Sequence, residues 1–158
     1  MHVLIATTGV LSPEPVVDFT RHLLGQHGRV TVITVIEVPR DFLEDIEGPP
    51  SYGTGRDASD RTARSYLEER GRRLVESVAH TLEGARIPYE VVFLEGTDPA
   101  TTISAAARDR GADVIVLGAT RPIFREDAWE SVSARVMLES GKPVLVLPGL
   151  ADKADDPS

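Results

Sequence analysis

Five short runs rich in Val, Ile and Leu are spaced along this chain, at residues 3–7 (VLIAT), 30–36 (VTVITVI), 89–94 (YEVVFL), 113–117 (DVIVL) and 143–147 (PVLVL). Helical periodicity fills the intervals, so the expected order is βαβαβαβαβ. Three of the runs are almost continuously apolar, as strands covered on both faces are. Right-handed crossovers then place the helices on both faces of a parallel sheet. These runs confine the chain to one doubly wound α/β domain over residues 1–150.

Helix boundaries are marked by caps. Ser12 followed by Pro13 opens a first helix with Val16, Phe19, Leu23 and Leu24 on its inner face, ending near Gly28. A second helix is expected from about Ser59 to Glu83, with Leu67, Leu74, Val75, Val78 and Leu82 inward and Gly84 as C-cap. Asp98 and Pro99 start a third, with Ile103, Ala106 and Ala107 facing the core and Gly111 closing it. A fourth covers about Ser131 to Glu139 and stops at GKP. Residues 38–58, with three prolines and three glycines, read as a flexible loop, and the polar tail 151–158 as disordered.

Composition removes several function classes. No apolar run approaches the roughly 20 residues of a membrane span. MHVLIATTG lacks the basic n-region of a signal peptide, so cytoplasmic residence is expected. Zero cysteines exclude disulfides, thiol catalysis and cysteine-based zinc sites, and a net charge of −8 disfavours nucleic acid and anionic lipid as partners. His2, His22, His27 and His80 show no metal-ligand spacing and read as ordinary surface or partly buried histidines. No G-x-S-x-G or GxxxxGK[ST] occurs, so no catalytic residue and no metal are assigned. GTGRDA at 53–58 imitates a dinucleotide fingerprint, but GPPSY rather than a strand precedes it.

Ligands of open α/β sheets bind beyond the carboxyl ends of the strands, where strand order reverses. That rule gathers Thr7, Thr8 and Gly9, then Val35 to Glu37, then Gly118 to Arg121 around one crevice. Ser131 and the backbone N–H groups of Val132 and Ser133 would stand at the mouth of the fourth helix, where unpaired N–H groups attract anions. Simple N-capping is the competing role for Ser131.

At these residues the chain resembles the universal stress protein family, from VLIATTG through EGTDPATTISAAARDRGADVIVLGAT to SVSARVMLESGKPVLVLP. The resemblance implies a five-stranded parallel sheet in order 3-2-1-4-5, usually a homodimer, and a role in stress responses. Some members bind ATP, through G-x2-G-x9-G-[S/T] after the fourth strand and an aspartate at the end of the first, and others do not. Here Gly118 matches the first glycine and Ser131 the hydroxyl residue, while Arg121 and Glu130 stand at the other two glycines with the spacing one residue short. Thr8 stands where the aspartate would be, and Val35 at the position whose backbone meets adenine. A carboxylate at Glu130 would repel a phosphate charge about 5 Å away by roughly 3 kcal/mol at an effective dielectric near 20. The expectation is a cytoplasmic homodimer paired through Val144 to Pro148, without cofactor or enzymatic activity, whose degenerate site binds ATP weakly or not at all. Two alternatives stay open: a switch holding ATP with Mg, or another adenine nucleotide, on a loop rewired around Arg121 and Arg125, and a slow nucleotide hydrolase.

Overall fold

The computed structural model describes residues 1–9, 11–41, 55–118 and 132–148, the side chains of 55–59 excepted. Its elements, in chain order, are β1 (His2–Ala6), α1 (Pro13–Leu24), β2 (Arg29–Ile36), α2 (Gly55–Gly84), β3 (Tyr89–Glu95), α3 (Pro99–Asp109), β4 (Val114–Gly118), α4 (Val132–Ser140) and β5 (Val144–Leu147). All pairings are parallel, and the sheet order is β3-β2-β1-β4-β5. Both the doubly wound class and the strand order expected from the sequence are what the chain adopts.

Alternate residues of each central strand supply two cores, because successive side chains leave opposite faces of a sheet. Val3 and Ile5, Val30 and Val32, and Val114 and Val116 pack under α1 and α2 with Val16, Val75, Val78 and Leu82. Leu4, Ile33, Ile115 and Leu117 pack on the other face with Ile103, Ala107 and Val136 of α3 and α4. Burial of each such Val, Leu or Ile side chain contributes roughly 1.5–3 kcal/mol before entropy is counted. The small residues Ala100, Ala106 and Ala107 let α3 lie close to the sheet.

Several boundaries differ from the sequence reading. α1 ends at Leu24, where Gly25 takes φ 60°, rather than near Gly28. Phe19, expected inside, is 49% exposed, because Val16, Val17 and Thr20 already supply the buried face. Gly84 is still helical, and Arg86 carries the left-handed backbone, with φ 58°. Helix α2 starts at Gly55, so residues 55–58 belong to it and not to the preceding loop. The expectations for residues 42–54, for 119–131 and for the tail lie outside the described residues.

At 30 residues α2 is roughly 45 Å long, while the seven-residue β3 beside it spans roughly 23 Å. Its C-terminus joins β3 through only residues 85–88, so the surplus turns stand above the carboxyl ends of the strands. They form a wall at that end. Ala63, on this overhang, is 4% exposed.

Candidate functional site

Strand order reverses beside β1, whose neighbours are β2 and β4, and the ends of these three strands frame the crevice. The last register pair of β1 with β2 is Ala6–Ile33, and the Thr7 N–H donates to the Ile33 carbonyl at 3.0 Å. β2 continues to Ile36. Backbone groups of alternate residues point the same way, so Val35 turns its N–H and C=O to the side that β1 has left. The Ile36 carbonyl faces β3 instead, accepting from the Gly96 N–H at 3.1 Å. Val35 therefore offers one backbone donor and one acceptor at the floor of the crevice, as a planar base would require.

The turn after β1 is closed on itself. Thr7, 3% exposed, accepts the Gly9 N–H on its Oγ1 at 3.0 Å. Gly9 takes φ 87°, and a Cβ there would meet Leu74 Cδ2 of α2 at 3.3 Å. Glycine is thus demanded by backbone conformation and packing, independently of any ligand. Thr8 is exposed and carries no charge. At the end of β4, a Cβ on Gly118 would lie 2.9 Å from Leu11 Cδ2. Leu11 is 3% exposed, so the two exits are packed together and Gly118 is needed for that contact alone.

The structure brings Thr7, Thr8, Gly9, Val35 and Gly118 to one end of the sheet, at the reversal. Val132 and Ser133 begin α4, and Val132 packs against the α3 and α4 core. Arg121 and Ser131 lie outside the described residues. Two open grooves of about 420 and 450 Å³ flank α2 instead, and only Gly9 of the candidate residues lines one. The crevice is framed by the strand ends at the reversal and is distinct from these grooves. Among the described residues, no cluster of three His, Asp or Glu groups is placed to hold a metal ion.

Two charged clusters near this end escaped sequence reasoning. Arg40, four residues beyond β2, grips Glu95 at the end of β3 through Nε and Nη2, both at 2.8 Å, and reaches Asp60 of the overhang at 3.3 Å. The hydrogen bonds from Arg40 hold the Glu95 carboxyl below its usual range. The sequence offered no signal, since Arg40 and Glu95 are 55 residues apart. Arg135 of α4 forks onto both oxygens of Asp98 at 3.0 and 2.8 Å and onto Glu139 at 2.8 Å. Asp98 also accepts from the Ala100 and Thr101 N–H groups, the capping role expected of it. Arg135 is the first cause of the drop of its pKa to about 2, with the Thr101 bonds adding to it against desolvation. Arg135 is thereby engaged in seating α4 on α3.

A doubly wound sheet with a ligand crevice at its reversal defines a large class of nucleotide-binding and related α/β proteins. The sequence profile of the universal stress protein family matches residues 1–148, and the chain belongs to that family. No curated protein matches it by sequence. Among solved structures, it is similar to the hypothetical protein MJ0577, whose biochemical function was assigned from structure, with 18% identity, a TM-score of 0.61 and coverage of 96% of this chain and 97% of that one. A universal stress protein family member from Burkholderia pseudomallei gives 21% identity, a TM-score of 0.53 and coverage of 94% and 96%. A universal stress protein in complex with cAMP gives 18% identity, 0.55, and 94% and 97%. Identities this low speak for the shared fold.

Proposed function

We propose that this chain is a cytoplasmic, stress-associated homodimer that performs no catalysis and whose crevice is a degenerate nucleotide site, binding ATP weakly or not at all. The turn after β1 carries the reading. The Gly9 N–H is already satisfied by Thr7, the neighbouring Thr8 brings no carboxylate, and Leu74 packs against the glycine. A triphosphate would find one backbone donor fewer than an open turn presents, and in the sequence a carboxylate, Glu130, stands where ATP-binding members of the family carry a glycine. The apolar edge strand VLVL, with Val146 44% exposed, supports pairing through Val144 to Pro148.

A second reading has its own support. Val35 keeps its backbone pair free of β1, and a relative of the same fold was solved with cAMP. In that reading an adenine nucleotide is held by its base on Val35, with Arg121 and Arg125 meeting its phosphate. Calorimetry with ATP and magnesium, and separately with cAMP, decides between them. Dissociation constants above about 1 mM for both support the degenerate site. Micromolar binding weakened by Arg121→Gly establishes the switch, and multiple turnover of ATP would overturn both readings in favour of a hydrolase.

A further inference from the structure

His2 is buried, with 7% of its surface exposed, at the amino-terminal end of the sheet, opposite the crevice. Its imidazole touches two segments, β2 and the end of α3. Nε2 lies 2.8 Å from Thr31 Oγ1 on β2, and Nδ1 lies 3.2 Å from both the Arg29 Nη2 and the Arg110 carbonyl at the end of α3. Arg29 Nη2 is also 3.3 Å from that carbonyl. Of the two neutral tautomers, only the one protonated on Nε2 lets Nδ1 accept from Arg29, and it leaves the Arg110 carbonyl to Arg29 rather than to the ring. Nε2–H donates to Thr31, the Nδ1 lone pair accepts one Arg29 N–H, and the second Arg29 N–H goes to the Arg110 carbonyl. Burial, first, and Arg29, second, hold the imidazole pKa below 6.5, against the Arg110 and Gly111 backbone and Asp113.

A second ring proton cannot be added without change. It would occupy the lone pair that Arg29 uses and set two cations 3.2 Å apart. Nδ1–H could then take over the Arg110 carbonyl, but Arg29 would have to leave. The geometry points to an acid-sensitive clasp: Arg29 bridges His2 to the α3–β4 turn while the imidazole is neutral and is expelled when Nδ1 takes up a proton. The other charged groups around it are Asp113, whose Oδ2 accepts the His2 backbone N–H at 2.7 Å, and the Arg110–Glu90 pair at 3.4 Å. Only Arg29 bonds the titrating nitrogen from a charged side chain among the described residues. Two strand ends meet at the clasp, because the Asp113 N–H donates to the His2 carbonyl at 2.8 Å and the Arg29 N–H to the Met1 carbonyl at 2.9 Å.

The unfolded or opened state binds the proton more readily, so closure is complete above about pH 6.5 and is lost as pH falls below it, by up to about tenfold per pH unit. The test is proton NMR of the His2 ring together with amide exchange, corrected for intrinsic rates, between pH 7.5 and 5 on the full chain. Expected are a His2 midpoint below 6.5, a matching loss of protection at the Arg29 and Asp113 amides, and unchanged protection at Val116. His2→Asn should abolish the pH-dependent loss at both amides. Arg29→Gln, which keeps the histidine, should raise its midpoint by about half a pH unit or more. An unmoved midpoint in Arg29→Gln, or the same loss of protection in His2→Asn, overturns the clasp.

Discussion

β3, at one edge of the sheet, exposes Glu90 and Glu95 and has both tied to arginines, Arg110 and Arg40, while β5, at the other edge, runs VLVL without a charge. Charged edge residues and covering elements are what keep a strand from pairing with foreign chains. β3 has both, since the long helix α2 packs along it and Gly71 admits the Phe93 ring. Among the described residues β5 carries no charge, is four residues long and has α4 packed beside it. Beside it, α4 exposes Met137 at 53% and Leu138 at 78%. Among the described residues the sheet is finished by charge and helix on the β3 side and left apolar on the β5 side, which is why the proposed dimer is placed there.

The largest effect should come from charging the open edge. Val146→Lys leaves the monomer fold intact, because the side chain is already exposed, but it puts an unpaired ammonium into a paired edge. The dimer dissociation constant should rise by about a hundredfold or more in sedimentation, and an unchanged dimer would remove β5 from the interface. Next in size is the converse change. Glu90→Val gives β3 the apolar character of β5, and concentration-dependent light scattering should reveal new association, which Val146→Lys in the same chain does not abolish. No new association would mean that α2, rather than charge, protects that edge.

The contrast between the edges was only half legible in the sequence. The order of elements, the Asp98 cap and the apolar run at β5 are local signals, set by periodicity and by neighbours within one turn, and the fold follows from them. The protection of β3 depends on Arg40 meeting Glu95 and Arg110 meeting Glu90, pairs that only the strand order brings together. The same limit governs the crevice. Gly9 and Gly118 stand out in sequence as possible phosphate contacts, yet their nearest demands are Leu74 and Leu11. His2 reads as an ordinary terminal histidine until β2 and the α3–β4 turn close around it.

A smaller effect concerns the helix that supports the open edge. Arg135 joins α4 to the start of α3, and its loss in Arg135→Met should let the Asp98 pKa rise from about 2 toward 3.8. A depressed carboxylate contributes stability above the unfolded pKa and loses it as pH falls through the folded one, here between about 3.8 and 2. The variant should be less stable at pH 7 by urea titration and should show a shallower decline across that acid window. An unaltered decline would mean that Asp98 is held by its Thr101 bonds alone.

The smallest effect lies at the closed edge, where Tyr89 begins β3 and its hydroxyl donates to Glu83 at the end of α2 over 2.5 Å. This bond is the main reason the phenol pKa rises to about 12, with burial and the carboxylate charge adding to it. A raised tyrosine pKa contributes stability that is complete below about 10 and lost as pH climbs through about 12, so nothing changes near neutrality. Ultraviolet titration should therefore show one tyrosine ionising about two units late. Glu83→Gln removes the charge that opposes ionisation and should bring that step down, while leaving sedimentation untouched because the edge it locks is not the one that pairs. A late step that survives Glu83→Gln would assign the shift to burial under α2, and a change in dimer affinity would show that the two edges are not independent.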